Sequence, residues 1–226
     1  MKRLLACAAL AFAASLAPAA MTPPDELVKQ VMLDIQRIIV EDKDLQSGDR
    51  AKTIRVIEQK ALPHFNHVGM TALAVGANWR KASVEQKKRL AEEFRALLVR
   101  TYASSLSAFG DQKFDFRPLR LKPEDTDVTV QVRVLQPGSQ PVVVEYDMEK
   151  SSDGWKCYDV RVAGISLVVN YRTEFTNIVR DKGIDGLIGA LTAKNKSLDA
   201  APAGATIDST TGVVTWTPAD GLLIAP

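Results

Sequence analysis

The sequence predicts an α+β domain, a curved antiparallel sheet of about four strands covered by helices. Three observations predict it. Apolar residues recur at helical spacing over residues 25 to about 110, switch to period two over residues 113 to 162, and return to helical spacing after Gly164. Helices, then a meander, then helices is an order that places the helices on one face of a sheet.

The first helix is expected over residues 25 to about 44, with Leu27, Val28, Val31, Met32, Ile35, Ile38 and Ile39 on its apolar side. Pro23-Pro24 sets its start and Ser47-Gly48 its end. A second helix is expected over 49 to 61, with Ile54, Val56, Ile57 and Leu62 supplying contacts before Pro63, and short helical turns follow through Met70 to Val75. The strongest element starts at Ser83. In Ser83-Val84-Glu85-Gln86 the Ser hydroxyl can accept from the third backbone amide while Gln86 reaches back, a capping box. The helix continues through Leu90, Phe94, Leu97, Leu98, Thr101, Tyr102 and Leu106, a broad apolar face.

Strands are expected over 114 to 121, 127 to 136, 141 to 149 and 155 to 162, each bounded by Pro, Gly, Asp or Ser. Val128, Val130, Val132 and Val134 share one face of the second strand, and Thr129, Gln131 and Arg133 the other. Pro137-Gly138-Ser139 and Ser152-Asp153-Gly154 favour tight antiparallel connections. Leu167, Val168, Tyr171, Phe175, Ile178 and Val179 then mark a helix, and Gly183 separates it from a last one carrying Ile184, Leu187, Ile188 and Leu191.

Residues 1–19 read as a secretory signal: Lys2 and Arg3, an apolar run over 4 to 16, and the small-residue site Ala17-Pro18-Ala19. The competing reading is acylation at Cys7, which leaves only three residues ahead of the box and no room for an apolar region. Pro18, Pro23, Pro24 and Asp25 end the run too early for a membrane span, and no later stretch is long enough for one. Residues 20–196 form the expected domain. From 197 to 226 the composition turns to Ala, Pro, Gly and Thr, a linker and tail expected to be poorly ordered, with hairpin-like patterning over 206 to 218. Removing Lys2 and Arg3 from 29 basic residues leaves 27 against 27 acidic ones, a balance that argues against nucleic acid as a partner. Loss of Cys7 leaves Cys157 as the lone thiol, read as a small buried hydrophobe in a strand.

Motifs for chemistry are sparse. Gly164-Ile165-Ser166-Leu167 lacks the second glycine of a nucleophile elbow. His64 and His67 lie at i and i+3 without an acidic or thiol neighbour in sequence, and read as surface or capping residues and not as metal ligands. The glycines of the 183 to 189 segment have the wrong spacing for a dinucleotide fingerprint. Arg80, Lys81, Lys87, Lys88 and Arg89 form a basic stretch interrupted by Glu85, Glu92 and Glu93, read as a solvated helix face or a docking site for an acidic partner. Asp159 with one of Tyr102, Tyr146, Tyr158 or Tyr171 leaves a proton-transfer site open as an alternative, although Asp159 reads better as a structural acceptor for amides or for Arg172. No catalytic residue, metal or cofactor is assigned.

Trp155-Lys156-Cys157-Tyr158-Asp159-Val160, Gly164-Ile165-Ser166-Leu167-Val168, Asn170-Tyr171-Arg172, Phe175 and Asp185-Gly186-Leu187-Ile188 resemble the carboxy-terminal half of the MlaC family, the toluene-tolerance auxiliary proteins. Trp79-Arg80, Glu85-Gln86, Phe94 and Thr101-Tyr102-Ala103 resemble its central helix. The resemblance implies a fold similar to the NTF2-like cone with added helices. It also implies a periplasmic phospholipid carrier, visiting membranes without spanning them, that moves lipid between an outer-membrane lipoprotein complex and an inner-membrane MCE-domain ABC transporter. A hopanoid or sterol-like cargo is the nearby alternative, and an NTF2-like small-molecule enzyme a more distant one.

Shielding two acyl tails from water means covering roughly 30 methylenes at about 0.8 kcal/mol each, on the order of 25 kcal/mol. That calls for an aliphatic and aromatic pocket. Phe94, Leu98 and Tyr102 of the Ser83 helix, Val130, Val132 and Val144 of the sheet, and Val168 and Tyr171 are the expected tail contacts. Arg172 either meets a phosphate or pairs with Asp159.

Overall fold

The computed structural model describes residues 21–107, 109–110, 112–135, 138 and 140–200, together with 206–207 and 214–215. Helix α1 (Pro24–Glu41) starts at a proline, whose missing N–H costs nothing in a first turn. It buries Val28, Met32, Ile35 and Ile39 along one stripe. The helix ends sooner than Ser47-Gly48 predicts. Asp42 leaves the helical conformation, and its carboxylate accepts from the amides of Asp44 and Leu45, restarting the chain as α2 (Lys43–Gln46). Asp49 caps α3 (Arg50–Val56) by accepting from the Lys52 amide. The rest of the expected second helix widens into a π turn, Ile57–Ala61, and a 3-10 turn, Leu62–His64. Pro63 supplies the reason, since it lacks the N–H that would continue the ladder.

Asn66 caps α4 (His67–Val75), and a 3-10 turn over Gly76–Lys81 leads to α5 (Val84–Ser107). The capping box closes as its residues require: the Gln86 amide donates to Ser83 Oγ at 3.1 Å and the Ser83 amide to Gln86 Oε1 at 3.0 Å.

Five strands follow as an antiparallel meander in chain order: β1 (Lys113–Phe116), β2 (Asp127–Leu135), β3 (Val142–Ser151), β4 (Gly154–Val162) and β5 (Ile165–Ser166). β1 is shorter than expected because Pro118 cannot donate to the ladder, and the last bond on that side runs from the Arg117 amide to the Gln131 carbonyl. β5 is a two-residue addition beyond the four expected strands. The register sets Val132 opposite Val144 and Val130 opposite Tyr146, with Val162 and Val160 next in line on β4. These pairs make the apolar face. Thr129, Gln131, Glu145, Asp147 and Arg161 occupy the other, where Arg161 bridges Asp147 at 2.9 Å and Glu145 at 3.4 Å. A bulge leaves Tyr158 without a partner between the Asp147–Asp159 and Met148–Cys157 pairs. That extra residue flips the alternation, so Cys157 and Trp155 join the apolar face.

After a 3-10 turn over Val169–Tyr171, α6 (Arg172–Ala200) carries one break, at Gly183 with φ +70°, a conformation glycine adopts without strain. Its second half runs parallel to α5: Thr192 and Asn195 hydrogen-bond Glu93, and Asp199 pairs with Arg100. The helix passes the expected boundary at residue 196. Leu198 is buried, its carbonyl accepts from Arg50 at 2.6 Å, and the Asp199 pair closes the last turn, so residues 197–200 belong to the helix and not to a linker. β6 (Thr206–Ile207) and β7 (Val214–Thr215) pair antiparallel within the segment with hairpin patterning. The signal segment and the remainder of the tail lie outside the described residues.

The interior divides into three packed groups. One lies among α4, α5 and α6 around Phe94, Phe175 and Leu187. A second joins the apolar sheet face to Val28 and Met32 of α1, and a third fills the corner of α1 and α2 around Ile35, Ile39 and Leu45.

Candidate functional site: two apolar layers

Phe94, Leu98 and Tyr102 follow one another at four-residue spacing on α5 and share a side of it. Phe94 is fully buried, whereas Leu98 and Tyr102 are half-buried. Val168 and Tyr171 reach them from the segment after β5. A polar latch holds that segment. The Ser166 hydroxyl donates to Asp159 Oδ2 at 2.6 Å and accepts from the amides of Val168 and Val169 at 3.2 and 2.8 Å. Val168 is thereby buried, and Tyr171 meets Phe94 and Phe175 with ring centroids 5.3 and 5.4 Å away. Burial pushes the phenols of Tyr102 and Tyr171 above their ordinary value, so both stay protonated at neutral pH.

Val130, Val132 and Val144 sit on the apolar sheet face, with Val132 directly opposite Val144. The eight expected residues therefore fall in two sets, five beside the helices and three on the sheet. They are not one continuous wall. Phe65 is packed against both groups. It had no signal in the sequence, being a single aromatic after Pro63-His64. Its place comes from a long-range contact, a bridge to Cys157 in which the Asn66 amide donates to the Cys157 carbonyl at 2.8 Å. Tyr146 and Val160 also line the sheet face. Tyr146 is readable from the strand alternation that picked out the valines.

Two of the concavities on the described surface border α1 and the polar side of the sheet. One, of about 790 Å³, follows α1 past Leu27, Val31 and Leu33 to Lys60 and Pro63. The other, of about 420 Å³, lies on the polar sheet face beside Arg117, Leu119 and Gln131. None of the eight expected residues lines either.

Arg172 does not pair with Asp159. Its guanidinium donates twice to the Leu73 carbonyl, at 3.1 and 2.7 Å, and packs over Gly76. Asp159 turns instead to Ser166, and no tyrosine hydroxyl is among its hydrogen-bond partners. It is 4% exposed and its Oδ1 has no partner. Burial pushes its carboxyl above the ordinary 3.8, reinforced by Asp147 across the β3–β4 pair and opposed by the Ser166 hydroxyl.

The folded chain therefore holds this proton more tightly than the unfolded one. Its stabilising contribution is fully present below pH 3.8 and is lost as pH rises through the higher folded value. Asp159→Asn keeps an oxygen for Ser166 without the buried charge. It is expected to be more stable relative to the parent at pH 7 than at pH 4, the difference shrinking as pH falls. Urea unfolding across that range checks the sign.

Cys157 is buried, donates to the Asp159 carbonyl at 3.1 Å, and has its thiol pushed up by burial. Among the described residues no three His, Cys, Asp or Glu side chains gather as a metal site, and no helix is long and apolar enough to cross a membrane.

An open five-stranded meander backed by helices, with a buried apolar face on each layer, defines an α+β domain of the helix-covered antiparallel-sheet class. The family model described as MlaC protein matches residues 29–193, and the chain belongs to that family. It is 33% identical, with a TM-score of 0.72, to the phospholipid-binding protein from Ralstonia solanacearum solved in complex with a phospholipid, a match covering 77% of this chain and 98% of that one. It is 25% identical over 136 residues to the intermembrane phospholipid transport system binding protein MlaC of Haemophilus influenzae, covering 59% of this chain. It is 26% identical over 129 residues to the toluene tolerance protein ttg2D of Pseudomonas putida, covering 54% of this chain. The matched stretches span 64% and 60% of the length of those two relatives.

Proposed function

We propose that this chain is a periplasmic phospholipid carrier that takes the acyl tails between its helical layer and the apolar face of its sheet. The likeness to the Ralstonia solanacearum complex carries the reading, because it covers nearly the whole of a protein solved with phospholipid bound. The interior supports it. The helical group and the sheet group are packed separately with Phe65 touching both, so tails can enter by parting two layers instead of dismantling one core. Leu98, Tyr102 and Tyr171 face them from the helices, and Val130, Val132 and Val144 from the sheet. Phe94 and Val168, fully buried, back the helical wall.

In this reading residues 1–19 direct export and are removed. The carrier exchanges lipid with an outer-membrane lipoprotein complex and an inner-membrane MCE-domain ABC transporter, and catalyses no reaction. Native mass spectrometry of the full chain purified from a periplasmic extract should show an adduct with the mass of one phospholipid, on a protein whose own mass begins near Ala20. Repeated lipid-free preparations that also extract nothing from phospholipid vesicles would sink the proposal.

A further inference from the structure

We infer that the turn leading into α5 is a docking surface for an anionic lipid bilayer. The 3-10 turn Gly76–Lys81 and the first turns of α5 gather Arg80, Lys81, Lys87, Lys88 and Arg89. Among the described residues none of the five makes an ion pair, whereas Arg95 and Arg100 further along α5 do. Arg80, Lys81, Lys88 and Arg89 are exposed. Between them Val84 is 86% exposed, the most exposed large apolar side chain of the described fold.

Val84, Lys87 and Lys88 stand at i, i+3 and i+4 and share a face. The same side of the helix goes on to the buried Leu90, Ala91 and Phe94. The apolar stripe of α5 thus overshoots the core by a turn and ends on a valine ringed by cations. The Lys87 ammonium sits over the Trp79 ring, 5.7 Å from its centroid. The carboxylates on this stretch are Glu85, Glu92 and Glu93, the last taken up by Thr192 and Asn195, and the parallel register of the second half of α6 brings Asp185 to the same end. The local balance stays positive although the exported chain is neutral overall.

A protruding apolar tip among ammonium and guanidinium groups fits the headgroup boundary of a bilayer, where each basic residue gains about 1 kcal/mol near an anionic surface. The concavities along α1 and on the polar sheet face lie elsewhere. Choosing a bilayer over an acidic protein rests on the carrier reading, since a lipid carrier has to approach a lipid surface.

Flotation of the exported full chain with vesicles of phosphatidylcholine, alone or mixed with phosphatidylglycerol, tests the inference. The parent should float with the mixed vesicles only and be released by salt. The triple change Arg80→Gln, Lys81→Gln, Lys88→Gln should lower its partitioning on the order of a hundredfold, at about 1 kcal/mol per residue removed. Val84→Asp should weaken it separately. No association with anionic vesicles, equal association with neutral ones, or an undiminished triple variant overturns the inference. Retention on a polyglutamate support without vesicle binding does so too, and reassigns the patch to an acidic protein. Lipid counted by native mass spectrometry in the same samples separates the two proposals. A triple variant that keeps its lipid but no longer floats supports docking, whereas a parent that floats without ever carrying lipid overturns the carrier reading and leaves the patch.

Discussion

Phe94→Ala should destabilise the lipid-free protein by about 3–5 kcal/mol, the range for emptying a buried aromatic site. Phe94 is fully buried and lies edge-on to both Tyr171 and Phe175, at 5.3 Å from each with interplanar angles near 80°. Such contacts add about 0.5–1.5 kcal/mol beyond the area removed from water. Collapse cannot recover the loss, because the neighbours come from different elements: α5 supplies Leu90 and Leu97, the turn before α6 supplies Val168 and Tyr171, and α6 supplies Phe175. Phe94→Leu, which keeps most of the volume, should cost less than half as much. Urea unfolding of the delipidated variants reads both values. A loss below about 1 kcal/mol would mean that the ring borders empty space, as a residue touching only lipid does.

The position of Phe94 shows where a sequence stops being informative. Its spacing with Leu98 and Tyr102 put it on the apolar side of α5, and that side is correct. Whether the side faces a neighbour or a cavity is not encoded in periodicity, because both arrangements use the same residue types. The alternation from Val128 to Val134 was enough to orient the whole sheet, since a slip of one residue would have buried Thr129, Gln131 and Arg133. The Ser83–Gln86 capping box was readable for the same reason: both partners lie within four residues.

Features that depend on distant residues were hidden. Arg172 donates to a carbonyl 99 residues away, and the bulge at Tyr158 is a property of two strands together. The last helix outruns its own polar composition at Lys194-Asn195-Lys196 because Arg50 and Arg100 are waiting for it. Phe65, the residue shared by the two apolar groups, is placed by pairing with a strand that comes far later in the chain.

Leu98→Trp and Val144→Trp, each made singly, should lower the phospholipid recovered with the purified protein at least tenfold while leaving a cooperatively folded chain. Leu98 is half-buried on the helical wall, and Val144 is 9% exposed near the middle of the sheet face. If tails lie between the layers, those layers part to admit them, and the room so made lies between the Leu98 side and the Val144 side. An indole entering from either side then occupies room meant for methylenes and excludes the ligand. A tenfold loss needs only about 1.4 kcal/mol of lost affinity, small beside the roughly 25 kcal/mol at stake in covering two tails. If instead the layers close into one core, the same indole has nowhere to go and overpacking costs about 1–3 kcal/mol of stability. Each variant therefore yields two readings, lipid per protein by native mass spectrometry and unfolding free energy of the delipidated form. Thr129→Trp, on the exposed polar side of the sheet, serves as the control and should keep its lipid. Undiminished lipid in both wall variants, with stability lost instead, would place the tails somewhere other than between the helices and the valine face.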